Sequence, residues 1–546
     1  MRKDKRSKKR YGDVPVYHVK QQFYDAKFDK RECARVASTM KNQIPPTTLS
    51  VALYELFKVS PQYKELLWGY QFPRCVKDLG EGNGFFFKSK GLLNEINWIY
   101  IQISRCHKEL STYVEYRNKV EKLILLGYYD EALDCLELIT KRLGFSIWYY
   151  EMKMLIYSYQ NKERLIFEML SDINEEKRDS KSGFICLLLS YLCKRSMKSY
   201  SAYAYDAELK SRFKMNRTDF QKDRFVYYQF RLNFYNNYNY EDLSPVLIME
   251  STNSLIDRYN LLIYLLRAEF SNTDLAMEKS IYSVIAQKIY RKTNDKLLVP
   301  FLAYLDIESI PDSYYNEELL CLFDSYYIGE YDATEIKCRE FIKNDPSYFD
   351  VIKLYCRSLI AQKKNYYPIT PQTDSIINQI ANTTYNVMSE LQNDESLHKL
   401  YQINKNIYGL SIACGLDYFI KLEQNENPRK DLRLLSLYYW DPLFCEIYDT
   451  IDQKNRYLEI ASQRFADFHI IPYQDTRNRK TQSDDLFICE YIRCMDAAKL
   501  LYNNSEYREA LILWNQILEK NASIIPIIQS AVDYIYRCYD NSSLIL

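Results

Sequence analysis

From about residue 93 onwards, apolar residues recur at three- and four-residue intervals, in windows separated by short polar breaks. That period marks one face of an α-helix, so the pattern predicts helix after helix rather than strands. Upstream, SVALYELFK predicts a helix capped by Thr47 or Thr48, directly after Pro45-Pro46, which together cannot continue a helix. Residues 1–46 before it read as a poorly structured arm. The stretch 69–91 holds five of the twelve glycines and reads as a loop. KKNYYPITPQTDS at 363–375 and IIPYQDTRNRKTQSDD at 470–485 read as exposed loops or block boundaries.

A repeat runs through these helices. LILLGYYDEALDCLELITKRLG carries Gly127, Tyr129, Ala132, Leu136 and Ile139 at relative positions 0, 2, 5, 9 and 12. Gly329, Tyr331, Thr334, Cys338 and Phe341 follow the same rule, with Pro346 at 17, and so do Ser505, Tyr507, Ala510, Trp514 and Ile517. A small first residue lets the chain turn, and a small residue at position 5 lets two helices approach closely. The large residue four positions later fills the space beyond that contact.

This rule resembles the second half of the tetratricopeptide repeat, a 34-residue helix-turn-helix unit. The resemblance implies an all-α fold: a tetratricopeptide-like α-solenoid, a right-handed superhelix of helical hairpins. Counting back from Gly127 gives Tyr116, Val120 and Leu123 as packing positions, and counting forward gives Tyr150, Met154, Tyr157 and Ile166. From the second copy the register gives Ile352, Cys356 and Leu359. Val120 stands where a small residue is expected, and Gly144 where the family has its proline. In 200–310 and 370–480 amphipathic windows such as RFVYYQFRLNFY and LLSLYYW show no clean register. The expected organisation is a basic arm (1–46), a helical cap with the glycine loop (47–108) and a repeat array (109–365). A helical block of unclear register (366–480) and a terminal repeat and cap (481–546) complete it.

In the family, first-helix residues line a concave groove. Through the matched registers this implies Arg117, Trp148, Glu151, Phe323, Tyr326, Tyr327, Lys353, Arg357, Lys499 and Tyr502 as partner-binding positions. Lys353 and Arg357, one helical turn apart beside Tyr326 and Tyr327, suit an acidic peptide segment, a terminal carboxylate, or a stacked base with its phosphate. The opposing reading is a surface charge pair above core tyrosines. The asparagines of the family's carboxylate clamp are absent.

The net charge of +1 provides no global field for nucleic acid or membrane. Its distribution is uneven: Arg2, Lys3, Lys5, Arg6, Lys8, Lys9 and Arg10 crowd the start, and residues 1–35 carry +7 against −6 for the remainder. Such an arm reads as a nucleic-acid anchor, a nuclear address or a solubilising tail. No apolar run follows it, and the longest apolar stretch, FICLLLSYLC, is about half of the ~20 residues that a membrane span needs. The fourteen cysteines form no CxxC pair and read as small buried hydrophobes in a reducing compartment. The expected location is the cytoplasm. Fifty-three tyrosines read either as the composition of an AT-rich genome or as a groove lining.

Signals for chemistry are weak. GEGNGFFFKS has Phe87 where a P-loop needs glycine before its Lys-Ser pair, and its third glycine comes one residue early for a kinase loop. His18, His107, His398 and His469 are scattered, with no HExxH and no Cys/His box. No catalytic residue, metal site or cofactor is expected. The expected function is a non-enzymatic scaffold or adaptor binding a partner protein or peptide, as a subunit of a larger regulatory or bacterial defence complex. The alternative is a nucleic-acid-binding subunit using the basic arm and tyrosine-rich helices.

Overall fold

A computed structural model describes residues 16–80, 91–177, 183–196, 219–232, 243–272, 276–299, 330–389, 394–407, 409–413 and 501–521, with scattered positions besides. Among the described residues there are nineteen α-helices and no strand. None of these helices is long and apolar enough to cross a membrane. The chain divides into two compact units, one of residues 1–117, 133–266 and 291–294, the other of 118–132, 267–290 and 295–546.

The first unit opens with α1 (Val16–Asp25), α2 (Lys30–Gln43), α3 (Pro46–Val59), α4 (Gln62–Trp68) and α5 (Leu92–Arg105). The first two helices correct the reading of 1–46 as a poorly structured arm. Val19 and Phe23 on α1, and Cys33, Val36, Ala37 and Met40 on α2, recur at helical spacing and are buried. Asp29 caps α2 by accepting the Glu32 N–H at 2.8 Å, and Tyr63 Oη donates to the Phe23 carbonyl at 2.7 Å. Dense charge on the outer faces had hidden this stripe. Neither Thr47 nor Thr48 caps α3, which starts at Pro46, where the missing N–H costs nothing. Residues 1–15, including the basic cluster, and 81–90, with most of the glycine loop, lie outside the described residues.

Next come α6 (His107–Leu126), α7 (Tyr129–Leu143), α8 (Ile147–Tyr159), α9 (Glu163–Glu176) and α10 (Gly183–Ser196). They are followed by α11 (Asp219–Leu232), α12 (Ser244–Glu250), α13 (Leu255–Asn272) and α14 (Ala276–Thr293). The later helices are α15 (Tyr331–Asn344), α16 (Phe349–Ala361), α17 (Ile376–Ser389), α18 (Asp394–Asn406) and α19 (Tyr507–Asn521).

The motif predicts one turn, and that turn recurs. After α6, Gly127 is left-handed at φ +85°; its N–H donates to the Ile124 carbonyl at 3.1 Å, and the Tyr128 N–H to the Leu123 carbonyl at 2.8 Å. This pair of bonds satisfies carbonyls that the helix end leaves open. Asn161, one repeat length further on, does the same at φ +57°, with Asn161 to Ser158 at 3.1 Å and Lys162 to Tyr157 at 2.8 Å. Lys363 (φ +55°) and Ser505 (φ +65°) close their helices through the same two bonds. In the second motif copy the Glu330 N–H reaches the Ser325 carbonyl at 2.9 Å, one repeat length before the equivalent Lys364 bond. Each following helix then packs its motif residues inward: Ala132, Thr334 and Ala510, and Leu136, Cys338 and Trp514, are all fully buried. Of the carried-forward positions, Tyr150, Met154, Ile166, Ile352, Cys356 and Leu359 are buried as well, and Tyr157 is half-buried.

Three helices lack a solvent stripe. Ile147 to Met152 on α8, Leu255 to Ile263 on α13 and Val351 to Leu359 on α16 are buried without interruption, over more than one helical turn each. In the first unit the segment at 71–73 ties helix ends together. The Gln71 carbonyl accepts the Leu255 N–H and the Pro73 carbonyl the Phe145 N–H, each at 2.7 Å. In the second unit α15 to α18 pack each on the next. The stretch 363–375 is a loop, as read, but a pinned one. Asn378 on α17 accepts the Ile369 N–H at 2.7 Å and donates to the Gln372 carbonyl at 2.8 Å.

Candidate functional site

The groove positions inferred from the repeat register fall into three groups. Phe323, Tyr327 and Lys499, and the arm residues Arg2, Lys3, Lys5, Arg6, Lys8, Lys9 and Arg10, lie outside the described residues. Tyr502 is half-buried, with its ring 5.4 Å from Tyr507 and 5.5 Å from Tyr534. The remaining six, Arg117, Trp148, Glu151, Tyr326, Lys353 and Arg357, are all buried.

Each is held by its own surroundings. In the first unit the Tyr113 ring packs edge-on to Trp148 at 5.0 Å, and the Arg117 guanidinium lies 5.9 Å from the Tyr113 ring. In the second unit Lys353 forms an ion pair with Asp350 and lies 5.7 Å from the Phe349 ring. Burial pushes the Lys353 ammonium below the ordinary lysine range, and Asp350 opposes that. The cationic pair read from the sequence is therefore part of the packed interior.

A second constellation went unnoticed in the sequence. Arg231 on α11 stands between Glu151 on α8, Glu250 at the end of α12 and Asp257 on α13, at 3.5, 3.9 and 4.0 Å. All four are buried, Glu250 and Asp257 completely. Asp257 turns both oxygens to the start of α8, accepting the Ile147 N–H at 2.9 Å and the Trp148 N–H at 3.0 Å. Glu250 Oε2 accepts the Tyr227 hydroxyl at 2.5 Å, and Asn253 Nδ2 donates to the same hydroxyl at 3.2 Å. The neighbouring Arg258 is committed to neutral acceptors: Gln102 Oε1 at 2.5 Å, the Asn253 carbonyl at 2.7 Å and the Trp68 carbonyl at 3.1 Å.

Burial governs the electrostatics here. It pushes the Asp257 carboxyl up to about 7, with the nearby Glu250 charge adding to the rise and Arg231 opposing it. It brings the Arg258 guanidinium down to about 10. Burial also works against the Arg231 charge, yet the surrounding carboxylates outweigh it and hold Arg231 well above its ordinary value. The available signal is one charge or one adjacent pair in an apolar window: Arg231 in VYYQFRL, Glu250 in PVLIME, Asp257-Arg258 in SLIDRYNLL. A helical-wheel reading gives no way to choose between a solvent face and a buried pair.

An accessible aromatic beside two cations occurs elsewhere, on α3. Tyr54 is 42% exposed; Lys58 Nζ lies 4.3 Å and the Arg105 guanidinium 4.1 Å from its ring centroid. Arg105 also donates to the Ser50 carbonyl at 3.2 Å, which fixes it across α3. Thr47, Val51, Tyr54 and Lys58 follow one another at helical spacing and are all exposed, so they form one outward stripe. Among the described residues no group of three or more His, Cys, Asp or Glu side chains is arranged to hold a metal ion. No family model, curated protein or solved structure matches the chain.

Proposed function

We propose that the chain is a non-catalytic interaction scaffold of tetratricopeptide-like hairpins, holding a partner protein or peptide segment within a larger complex. The observation that supports this reading most is the recurrence of one helix-closing turn at 127, 161, 363 and 505, the first two a single repeat length apart. A repeated hairpin cannot bury its apolar face alone; neighbours do that, and the result is extended surface rather than a single catalytic cleft. The contact surface in this reading is the α3 stripe, since six of the seven described groove positions inferred from the register are buried. Tyr54 between Lys58 and Arg105 suits an acidic peptide segment, whose carboxylates meet the cations while its apolar atoms cover the ring and Val51.

The test is affinity purification of the full chain from its native cell, with and without nuclease, beside a deletion of residues 1–11. Retention of a stoichiometric protein partner in all three samples supports the scaffold. Recovery that collapses with nuclease or with loss of the arm moves the reading to a nucleic-acid-binding subunit.

A further inference from the structure

We propose that the outward stripe of α3 docks antiparallel on the acidic outward face of α9 of a second copy of this chain, so that copies of the free protein cover one another's contact surface. The inference rests on the reading of the α3 stripe as a contact surface and names a second occupant of it.

Charge points to the pairing. Among the described residues neither Lys58 nor Arg105 has a carboxylate partner: Lys58 lies over the Tyr54 ring, and Arg105 lies over the same ring and donates to the Ser50 carbonyl. The stripe is thus an exposed ring with two uncompensated cations. Its counterpart is α9, which carries five acidic residues between Glu163 and Glu176 against one basic, Arg164, all six of them exposed. Glu175 and Glu176 sit in its last turn, where the helix dipole disfavours negative charge, so this acidity does not serve the helix itself. Phe167 stands on the same helix at 54% exposure.

Register makes the match specific. Thr47, Val51, Tyr54 and Lys58 follow one another at steps of four, three and four residues, and Glu163, Phe167, Leu170 and Asn174 repeat those steps. With the two helices antiparallel, Tyr54 meets Phe167, and Lys58, one turn on, meets Glu163, one turn back. Val51 then meets the half-buried Leu170, and Thr47 meets Asn174. Ring lies on ring, apolar on apolar, cation on anion and polar on polar. A parallel pairing in the same register would set Lys58 against Asn174 and Glu163 against Thr47, and would lose the ion pair. Like Lys58, Glu163 has no oppositely charged partner among the described residues.

Both helices belong to the first unit, and all these positions except Leu170 are exposed within one copy, so the contact joins two copies. It joins unlike surfaces, and therefore repeats head to tail unless a rotation closes a ring. About three helical turns a side make an interface below the ~1,000 Å² of a stable complex, so the association is weak and depends on concentration.

Sedimentation velocity of the purified full-length chain, from about 1 µM to about 100 µM, reads this directly. The wild type should move from monomer to heavier species over that range. Lys58→Glu and Glu163→Lys, both at exposed positions, should each weaken self-association at least about tenfold. Their equimolar mixture should recover it, because the reversed α3 of one variant meets the reversed α9 of the other. Phe167→Ser should weaken the contact without changing charge. A wild type that stays monomeric throughout overturns the proposal; so do single variants that associate like the wild type, or a mixture that associates no better than either variant alone. None of these results touches the scaffold reading, which stands or falls on recovery of a partner from the native cell.

Discussion

Asp257 accepts the backbone N–H of Ile147 at 2.9 Å, so a carboxylate 110 residues downstream serves as a cap for α8. The bond with Trp148 at 3.0 Å doubles the hold. Asp257→Ala leaves two amides of a buried helix start without this acceptor. The expected cost is about 2–4 kcal/mol in urea unfolding at pH 6. Asp257→Asn, which keeps one acceptor oxygen, should cost less than half of that. Equal losses for the two variants would show that the cap is not what stabilises α8.

The pH dependence has a definite sign. Asp257 sits at about 7 in the folded chain against 3.8 for a free aspartate. A carboxyl with a raised folded value contributes stability that is fully present below the unfolded value and is lost as pH rises through the folded one. The chain should therefore become less stable from about pH 5 to pH 8. Chemical denaturation at a series of pH values, compared with Asp257→Asn, isolates the contribution.

The recurring turn makes opposite predictions at equivalent positions. Gly127 at φ +85° has Gln372 Cβ and Ser375 Cβ only 3.1 Å from where its own Cβ would stand. Gly127→Ala should destabilise by about 1–2 kcal/mol through backbone strain alone, with the close contacts adding to it. Lys363 holds the same slot at φ +55° with a side chain that disfavours it, so Lys363→Gly should stabilise by roughly 0.5–1 kcal/mol. Thermal denaturation of both variants tests the equivalence; two shifts of the same sign would contradict it.

Lys353→Glu separates a groove from a core. Its side chain is 5% exposed and paired with Asp350, so reversal buries two carboxylates side by side. A loss of about 3–5 kcal/mol is expected, measured by urea unfolding. A groove cation would cost at most about 1 kcal/mol.

Local rules were legible, and distant ones were not. The motif residues Gly127, Ala132 and Leu136 announce a turn and the buried positions after it, and both recur at Ser505, Ala510 and Trp514. Asn161 and Lys363 occupy the left-handed slot without being glycines; only the spacing of the repeat reveals them. Helices α1 and α2 were missed because basic composition masked a narrow buried stripe. The burial of Lys353 and Arg357 was illegible for a different reason. Periodicity says that Lys353 and Arg357 share a helix face, but whether that face meets water depends on helices from elsewhere in the chain. Arg231, Glu250 and Asp257 come from three separate helices, and their meeting is a tertiary fact.

Native mass spectrometry of the full-length chain, purified from its own cell after nuclease treatment, tests the scaffold reading most directly when wild type is compared with Tyr54→Ala/Lys58→Glu. The account predicts a protein partner at fixed stoichiometry on the wild type. It also predicts that the surface variant, at unchanged thermal stability, has lost most of that partner. A wild-type chain that emerges alone, or a variant that keeps its partner in full, would contradict it.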